Sequence, residues 1–367
     1  WLKWGSSVFH CAFVAMCAAM LSFVAALLST LGASADSTVY GLIAPTGDNF
    51  TIAPLDLTGS TVKLSAVGVT ARGIQILDRM GSGSAMAVDA AASIAFIVGF
   101  TYDAGKQTNM SLFGISLRDG RMAVNVSLPL PYWDDGDDHH TTVHLLRNGN
   151  LVVAGIAQGQ GLAGCVTVVS RAGEVKKYHA LDKLAFGEYP KGPTALDADG
   201  GNLYLAIASI GGGDWLMRLN LDSGVSSRIT APLEVMSLAY DTSRSGFWAL
   251  ASNATQILTD GYYIAFYDTA SSTFGPIKAL GRAACSSIEN PNDNWNLASA
   301  FDDANGHFIT REICQPDAGT INERVAVIDV ATGSVLHRPL ESALTSGIGL
   351  GLYGLAVESS TTQNLVV

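Results

Sequence analysis

Val325-Ala326-Val327-Ile328-Asp329-Val330-Ala331-Thr332-Gly333 is an alternating apolar run that ends in a polar turn closed by glycine. Alternation marks a half-buried strand, and Asp or Asn ahead of a Gly supplies the positive φ of a tight hairpin. The pattern recurs upstream as Pro54-Leu55-Asp56-Leu57-Thr58-Gly59, Ile115-Ser116-Leu117-Arg118-Asp119-Gly120, Val168-Val169-Ser170-Arg171-Ala172-Gly173 and Leu219-Asn220-Leu221-Asp222-Ser223-Gly224. Phe266-Tyr267-Asp268-Thr269-Ala270-Ser271 is a weaker copy. A short strand follows, as in Val335-Leu336-His337-Arg338. A second motif places a small or apolar pair before an acidic turn: Ala87-Val88-Asp89, Ala195-Leu196-Asp197, Ala239-Tyr240-Asp241, Ala300-Phe301-Asp302 and Ala356-Val357-Glu358. Leu145-Leu146-Arg147 is degenerate but keeps the turn Asn148-Gly149-Asn150. Another apolar run, such as Leu203-Tyr204-Leu205-Ala206, follows most of these turns.

The two motifs alternate with a period of roughly 40 to 60 residues, the range of propellers and solenoids. Four short antiparallel strands per unit predict an all-β chain, a β-propeller of about six four-stranded blades. Solenoid coils are usually shorter, near 20 to 30 residues, and a sandwich does not repeat in this way. Val39–Val67 supplies three strands with no first strand before them. The simplest closure therefore makes 352–357 the innermost strand of the N-terminal blade, leaving no open sheet edge in the ring. Gln363-Asn364-Leu365-Val366-Val367 reads as the start of another strand, which keeps a seventh blade as the alternative.

The segment Val325–Gly333 resembles the strand and turn of YVTN-like and quinoprotein-like propellers, and the likeness extends over essentially all of 38–367. It is a likeness of fold. WD-repeat Gly-His and Trp-Asp pairs do not recur along the chain, and kelch double-glycine repeats and the Asp-x-Asp-x-Asp-Gly calcium loops of integrin-type blades are absent. Such folds host many functions, so the resemblance implies an architecture and no activity.

The chain has 367 residues, a net charge of −11 and 14% charged residues. That charged fraction is far below the roughly 25% of an average domain and excludes disorder and long solvated helices. The acidic balance excludes an electrostatic binder of nucleic-acid backbones. There is no Walker loop, HExxH, CxxC pair or GxSxG elbow, and no GxGxxG opens a helical pattern as a dinucleotide fingerprint must.

Residues 1–35 hold one charge, Lys3, and an apolar run from Val8 to about Leu31. Ala33-Ser34-Ala35 gives the small-x-small pattern of a signal-peptidase site, so the segment reads as a signal peptide or an uncleaved signal anchor. The first residue is Trp1, which reads as a fragment or a missing start. The expected layout is 1–35 for targeting and 36–367 as one propeller, secreted or facing the lumen or outside. Four N-x-S/T sequons, at Asn49, Asn109, Asn125 and Asn253, fit a glycoprotein of that route. Three cysteines follow the signal: Cys165 sits in an apolar run and reads as core, and Cys285 pairing with Cys314 is the favoured disulfide.

In a propeller the loops joining strands two and three, and the connections between blades, share one face. Here these are the long segments: Phe100–Asn109, Pro129–His140, Leu181–Pro193, Asn253–Gly261, Gly281–Trp295 and Ile313–Glu323. Binding sites concentrate on such loops. The densest polar cluster is Tyr132-Trp133-Asp134-Asp135-Gly136-Asp137-Asp138-His139-His140, and the second is Glu289–Trp295. Each has a solvated-loop reading beside the functional one. His144, on a predicted innermost strand, either lines the channel or is a satisfied core histidine. Trp215 and Trp248 read as packing residues between blades.

The leading function is a non-enzymatic, monomeric module that binds a protein or glycan through Trp133, Asp134, Asp138 and Trp295, with no cofactor. The alternative is a metal-dependent hydrolase similar to gluconolactonase-like propellers, with Ca2+ at the channel mouth held by acids such as Asp134, Asp138 and Asp293. A pyrroloquinoline-quinone enzyme is disfavoured by the short chain. A membrane is involved only if the N-terminal segment stays uncleaved.

Overall fold

The Val325–Gly333 stretch forms the third strand and the closing turn of a four-stranded antiparallel sheet, and five further sheets repeat the plan. A computed structural model describes residues 37–358, apart from 47–48, 67, 75–85, 104–105, 108–109, 129–138, 158–163, 182–183, 186, 210–212, 253–261, 281–297, 318–319 and 342–351. Blade 1 runs outward from Leu352–Glu358 through Thr38–Thr46 and Asn49–Asp56 to Lys63–Leu64, with Val69–Arg72 also on Asn49–Asp56. Blade 2 comprises Met86–Asp89, Ile94–Gly99, Ser111–Ser116 and Met122–Ser127. Blade 3 comprises His139–Leu145, Leu151–Ala157, Cys165–Val169 and Val175–Ala180. Blade 4 comprises Glu188–Asp197, Asn202–Ser209, Trp215–Asn220 and Ser226–Thr230. Blade 5 comprises Glu234–Asp241, Gly246–Ser252 and Tyr262–Asp268, with a fourth strand in two pieces, Thr273–Phe274 and Lys278–Ala279. Blade 6 comprises Ser299–Asp302, His307–Asp317, Thr320–Asp329 and Val335–Pro339.

The six first strands contact one another in a closed ring, blade 6 meeting blade 1 through Leu352–Glu358. That C-terminal strand pairs antiparallel with Thr38–Thr46, Val357 opposite Val39 and Leu355 opposite Gly41. The expected closure is therefore the observed one, and the chain is a six-bladed β-propeller. The seventh-blade alternative rested on Gln363–Val367, which lies outside the described residues; the ring is complete without it.

The core sits in the seams between blades. Six apolar clusters each join residues of two neighbouring sheets, as where Val152 and Val166 of blade 3 pack with Leu203, Leu205 and Trp215 of blade 4. Trp215 and Trp248 are buried in such seams, and Cys165 is a buried free thiol, as their sequence settings suggest. Strands buried on both faces read as near-continuous apolar runs, as Leu203–Ala208 does.

The repeated turn has one geometry in blades 2, 4 and 6. The N–H of Gly120, Gly224 and Gly333 donates to the carbonyl four residues back, on Ser116, Asn220 and Asp329, at 2.7–2.9 Å. The positive φ falls on the glycine itself, +71°, +69° and +77° in turn, and not on the polar residue before it. The polar residue at the turn's start acts as a cap, for Asp329 Oδ1 accepts the N–H of Ala331 and Thr332 at 2.8 and 3.0 Å. Side-chain capping of this kind is why Asp, Asn and Ser begin these turns.

Several long segments are more regular than loops. Glu188–Pro193 belongs to a first strand, not to a Leu181–Pro193 loop, and His139 and His140 open the first strand of blade 3. Ile313–Glu323 extends the hairpin of blade 6, which places Cys314 on a strand opposite Asn322 and not in a loop. Phe100–Asn109 holds a small hairpin pairing Tyr102–Asp103 with Lys106–Gln107. Backbone groups in these extensions find partners in their own ladders, which favours hairpins over irregular chain.

Candidate functional site

The acidic residues of the repeat are committed to structure. Asp89, Asp197, Asp241 and Asp302 end first strands, all buried, and each Oδ1 accepts an N–H three residues on at 2.8–3.2 Å. Asp241 Oδ2 also accepts the Trp248 indole N–H at 3.1 Å, and Asp89 pairs with Arg171 of the next blade. These carboxylates hold the short hairpins and clip the blades on one face.

On the opposite face, the first strand of blade 4 carries a bulge. Pro190 opposes Ile207 and Thr194 opposes Leu205, so Lys191, Gly192 and Pro193 together face Ala206 alone. Gly192 takes φ +112°, a conformation that strains any residue with a Cβ. The bulge sends Lys191 into a buried site where Nζ lies 3.0 Å from Asp214 Oδ2 and 2.9 Å from Glu234 Oε1. Asp214 Oδ2 also accepts the Val235 N–H at 2.8 Å. Burial pushes the Asp214 carboxyl above its usual range, and the Lys191 ammonium opposes that shift. The group joins the second-to-third-strand segment of blade 4 to the start of blade 5. It locks two neighbouring first strands at the long-loop end of the channel.

The channel wall is also internally hydrogen-bonded. Thr194 Oγ1 donates to Thr142 Oγ1 at 2.9 Å, so its proton is committed, and His144 Nε2 at 2.7 Å must be the donor to Thr194. Burial drives the His144 pKa down to about 4, leaving a neutral ring at pH 7. The half-buried histidine thus bridges blades 3 and 4 on the channel wall, with its hydrogen bond satisfied. Ser237 and Ser299 join blades 5 and 6 with a 2.5 Å hydroxyl pair, and Ser299 donates on to the Leu238 carbonyl at 3.0 Å. In blade 6 the fully buried Arg311 and Glu323 pair at 2.6 Å. Glu323 Oε1 also accepts the Leu352 N–H at 2.9 Å, fastening the closing strand.

Trp133, Asp134, Asp138, Trp295 and Asp293 lie outside the described residues, as do Cys285, Asn109 and Asn253. Nothing is described of the side chains of Cys314 and Asn49. Asn49 opens the third strand of blade 1, and Asn253 follows the second strand of blade 5 in sequence. Asn125 is exposed on the outermost strand of blade 2. The 1–35 segment also lies outside the described residues. Among the described residues no group of three or more His, Cys, Asp or Glu is arranged to hold a metal ion. Sequence reasoning missed Lys191. The usable signal was Pro190-Lys191-Gly192-Pro193 ahead of the Ala195-Leu196-Asp197 motif, because Pro and Gly inside a strand mark a bulge.

No family model matches the chain, and no curated protein matches it. Among solved structures it is similar to a protein described as a TolB from Agrobacterium tumefaciens, at 10% identity and TM-score 0.49, over 88% of this chain and 99% of that one. It is also similar to an oligogalacturonate lyase solved with manganese, at 12% identity and TM-score 0.43, over 78% of this chain and 73% of the lyase. A third is the Cps50 (Swd1) propeller domain of Myceliophteria thermophila, at 10% identity and TM-score 0.38, over 69% and 68%. Likeness at this level concerns the fold and carries no activity to this chain.

Proposed function

We propose that this chain is a secreted, glycosylated propeller that binds a protein or glycan partner through its long-loop face, without catalysis of its own. One observation carries the reading. The repeat carboxylates cap turns on the other face, and the Thr142–Thr194–His144 and Ser237–Ser299 chains are bonded within the wall. The long segments carry the polar groups that this reading assigns to a partner. Trp133 and Trp295 supply aromatic area, the commonest source of interface affinity, and Asp134 and Asp138 supply selectivity. The exposed position of Asn125 is compatible with a glycan there.

The test is partner capture with the secreted protein, followed by Trp133→Ala and Trp295→Ala. Binding should weaken at least tenfold with an unchanged melting temperature, and the mature protein should begin near Asp36. Unchanged affinity, or a large loss of stability, would place the site elsewhere. Stoichiometric calcium that is lost on Asp134→Asn and Asp138→Asn would overturn the reading in favour of a metal-dependent hydrolase.

A further inference from the structure

The seam between blades 4 and 5 is clasped by Lys191 near the channel but opens toward the rim. There the fourth strand of blade 5 is reduced to Thr273–Phe274 and Lys278–Ala279, interrupted by Gly275-Pro276-Ile277. Proline removes a ladder donor, so the strand cannot continue through this point. The result is an open cleft of about 560 Å³ between that strand and Ser226–Thr230 of blade 4. Its size falls in the ~300–1,000 Å³ range of small-ligand sites.

The lining is chemically mixed. Arg218, Ser227 and Thr230 come from blade 4, and Tyr267, Thr273 and Phe274 from blade 5. Arg218 is anchored by its Nε, which donates to Asn202 Oδ1 at 3.2 Å. Asn202 is in turn held by Asp197 and the Gly200 carbonyl, which fixes the guanidinium's base. The two terminal nitrogens of Arg218 have no hydrogen bond or ion pair with the described residues. Arg228, also at the cleft, is engaged elsewhere: it pairs with Glu188 at 2.8 Å and lies over the Trp215 ring. One forked cation is therefore available, with the Ser227 hydroxyl beside it. Phe274 packs edge-on against the buried Tyr267 at 5.0 Å between centroids, giving a firm aromatic floor.

We propose that this cleft binds a single acidic sugar residue, a hexuronate. A carboxylate matches the forked donors of one guanidinium. A ring hydroxyl matches the Ser227 side chain, which lies opposite Arg218 on the same sheet face, and the apolar sugar face matches Phe274. A neutral sugar leaves the guanidinium without its counter-charge, and an aliphatic carboxylate leaves the Ser227 hydroxyl and the Phe274 face without partners. The site lies on the rim of the blade 4–5 seam and stands independently of the long-loop reading.

Titration calorimetry of the whole chain with D-glucuronate, D-glucose and N-acetylglutamate tests it. Glucuronate should bind at millimolar concentration, and the other two at least tenfold more weakly. Arg218→Lys should weaken glucuronate at least tenfold by losing the fork. Ser227→Trp, at an exposed position, should block the cleft with the melting temperature unchanged. Trp133→Ala and Trp295→Ala should leave glucuronate binding intact. Equal binding of glucose would remove the role of Arg218, and equal binding of N-acetylglutamate would make the site a reader of peptide carboxylates. No heat, or full binding by Ser227→Trp, would reject the site.

Discussion

Replacing Lys191 by Met removes the cation from a buried group that otherwise holds two carboxylates. The Lys191 side chain is 4% exposed, Asp214 8% and Glu234 27%. Breaking a buried pair by removing one partner costs about 3–5 kcal/mol, because the remaining charge is left uncompensated. Glu234 reaches water and is partly screened, so Asp214 contributes most and the expected loss is about 3 kcal/mol. The loss depends on pH with a definite sign. Burial already raises the Asp214 pKa, and Lys191 is the largest opposing influence, so removing it raises that pKa further. Between the unfolded and native values the native protein then binds more protons than the unfolded chain, and stability falls as pH rises. The deficit of Lys191→Met against wild type should therefore be larger at about pH 8 than at about pH 5. Denaturant midpoints followed by tryptophan fluorescence measure it. Adding Asp214→Asn should recover more than half of the deficit, since the uncompensated charge is gone. A deficit below about 1 kcal/mol, or a double variant no more stable than the single, would show that the clasp contributes nothing beyond packing.

Three further outcomes are expected. Gly333→Ala should cost about 1–2 kcal/mol through backbone strain alone, since its Cβ would meet nothing nearer than 3.9 Å; Gly173→Ala should cost more, its Cβ falling 2.3 Å from Val126 Cγ2. Thermal melts of the two variants check that order. His144 stays neutral down to its pKa of about 4, so native protein binds fewer protons than unfolded chain between there and about 6.5, and stability falls as pH drops through that window; His144→Gln should flatten this dependence. Truncation before Leu352 removes the inner strand of blade 1 and the Leu352 N–H bond to Glu323, and should abolish cooperative unfolding as read by circular dichroism.

The fold was legible because its signals are local. The turn at Asp329–Gly333 is specified within five residues, and repetition of that turn sets the spacing of every strand between. Closure by 352–357 followed from counting, since a blade with three strands at one end needs its fourth from the other. Lys191 was not legible in the same way. Its place depends on a register in which three residues of one strand oppose a single residue of the next, and on Asp214 and Glu234 arriving from two other segments. His144 could be placed on a first strand, but its partner Thr194 lies 50 residues away. Sequence alone therefore left both readings of that histidine open. The long segments misled for a physical reason: Gly, Pro and polar residues there signal loops, but a hairpin extended beyond its sheet satisfies the same backbone groups.

The charge distribution has a structural logic that the net value of −11 conceals. Each outermost strand, or the residue opening it, carries a cation: Lys63, Arg121, Lys176 and Lys177, Arg228, Lys278 and Arg338 in blades 1 to 6. Those strands leave one backbone edge unpaired, and Lys or Arg on an edge strand is the common guard against pairing with another chain. Several also bear an exposed apolar side chain, Leu64, Met122, Val175 and Leu336 among them, which raises the need for that guard. The acids instead cap turns and clip blades, where a carboxylate gains hydrogen bonds to backbone N–H groups. Basic residues at the rim and acids at the turns thus follow from closing a ring of sheets whose inner edges are covered and whose outer edges are not. Arg218 departs from this pattern. It lies on a third strand, faces a seam, guards no edge, and has only one of its three nitrogens bonded to the described residues.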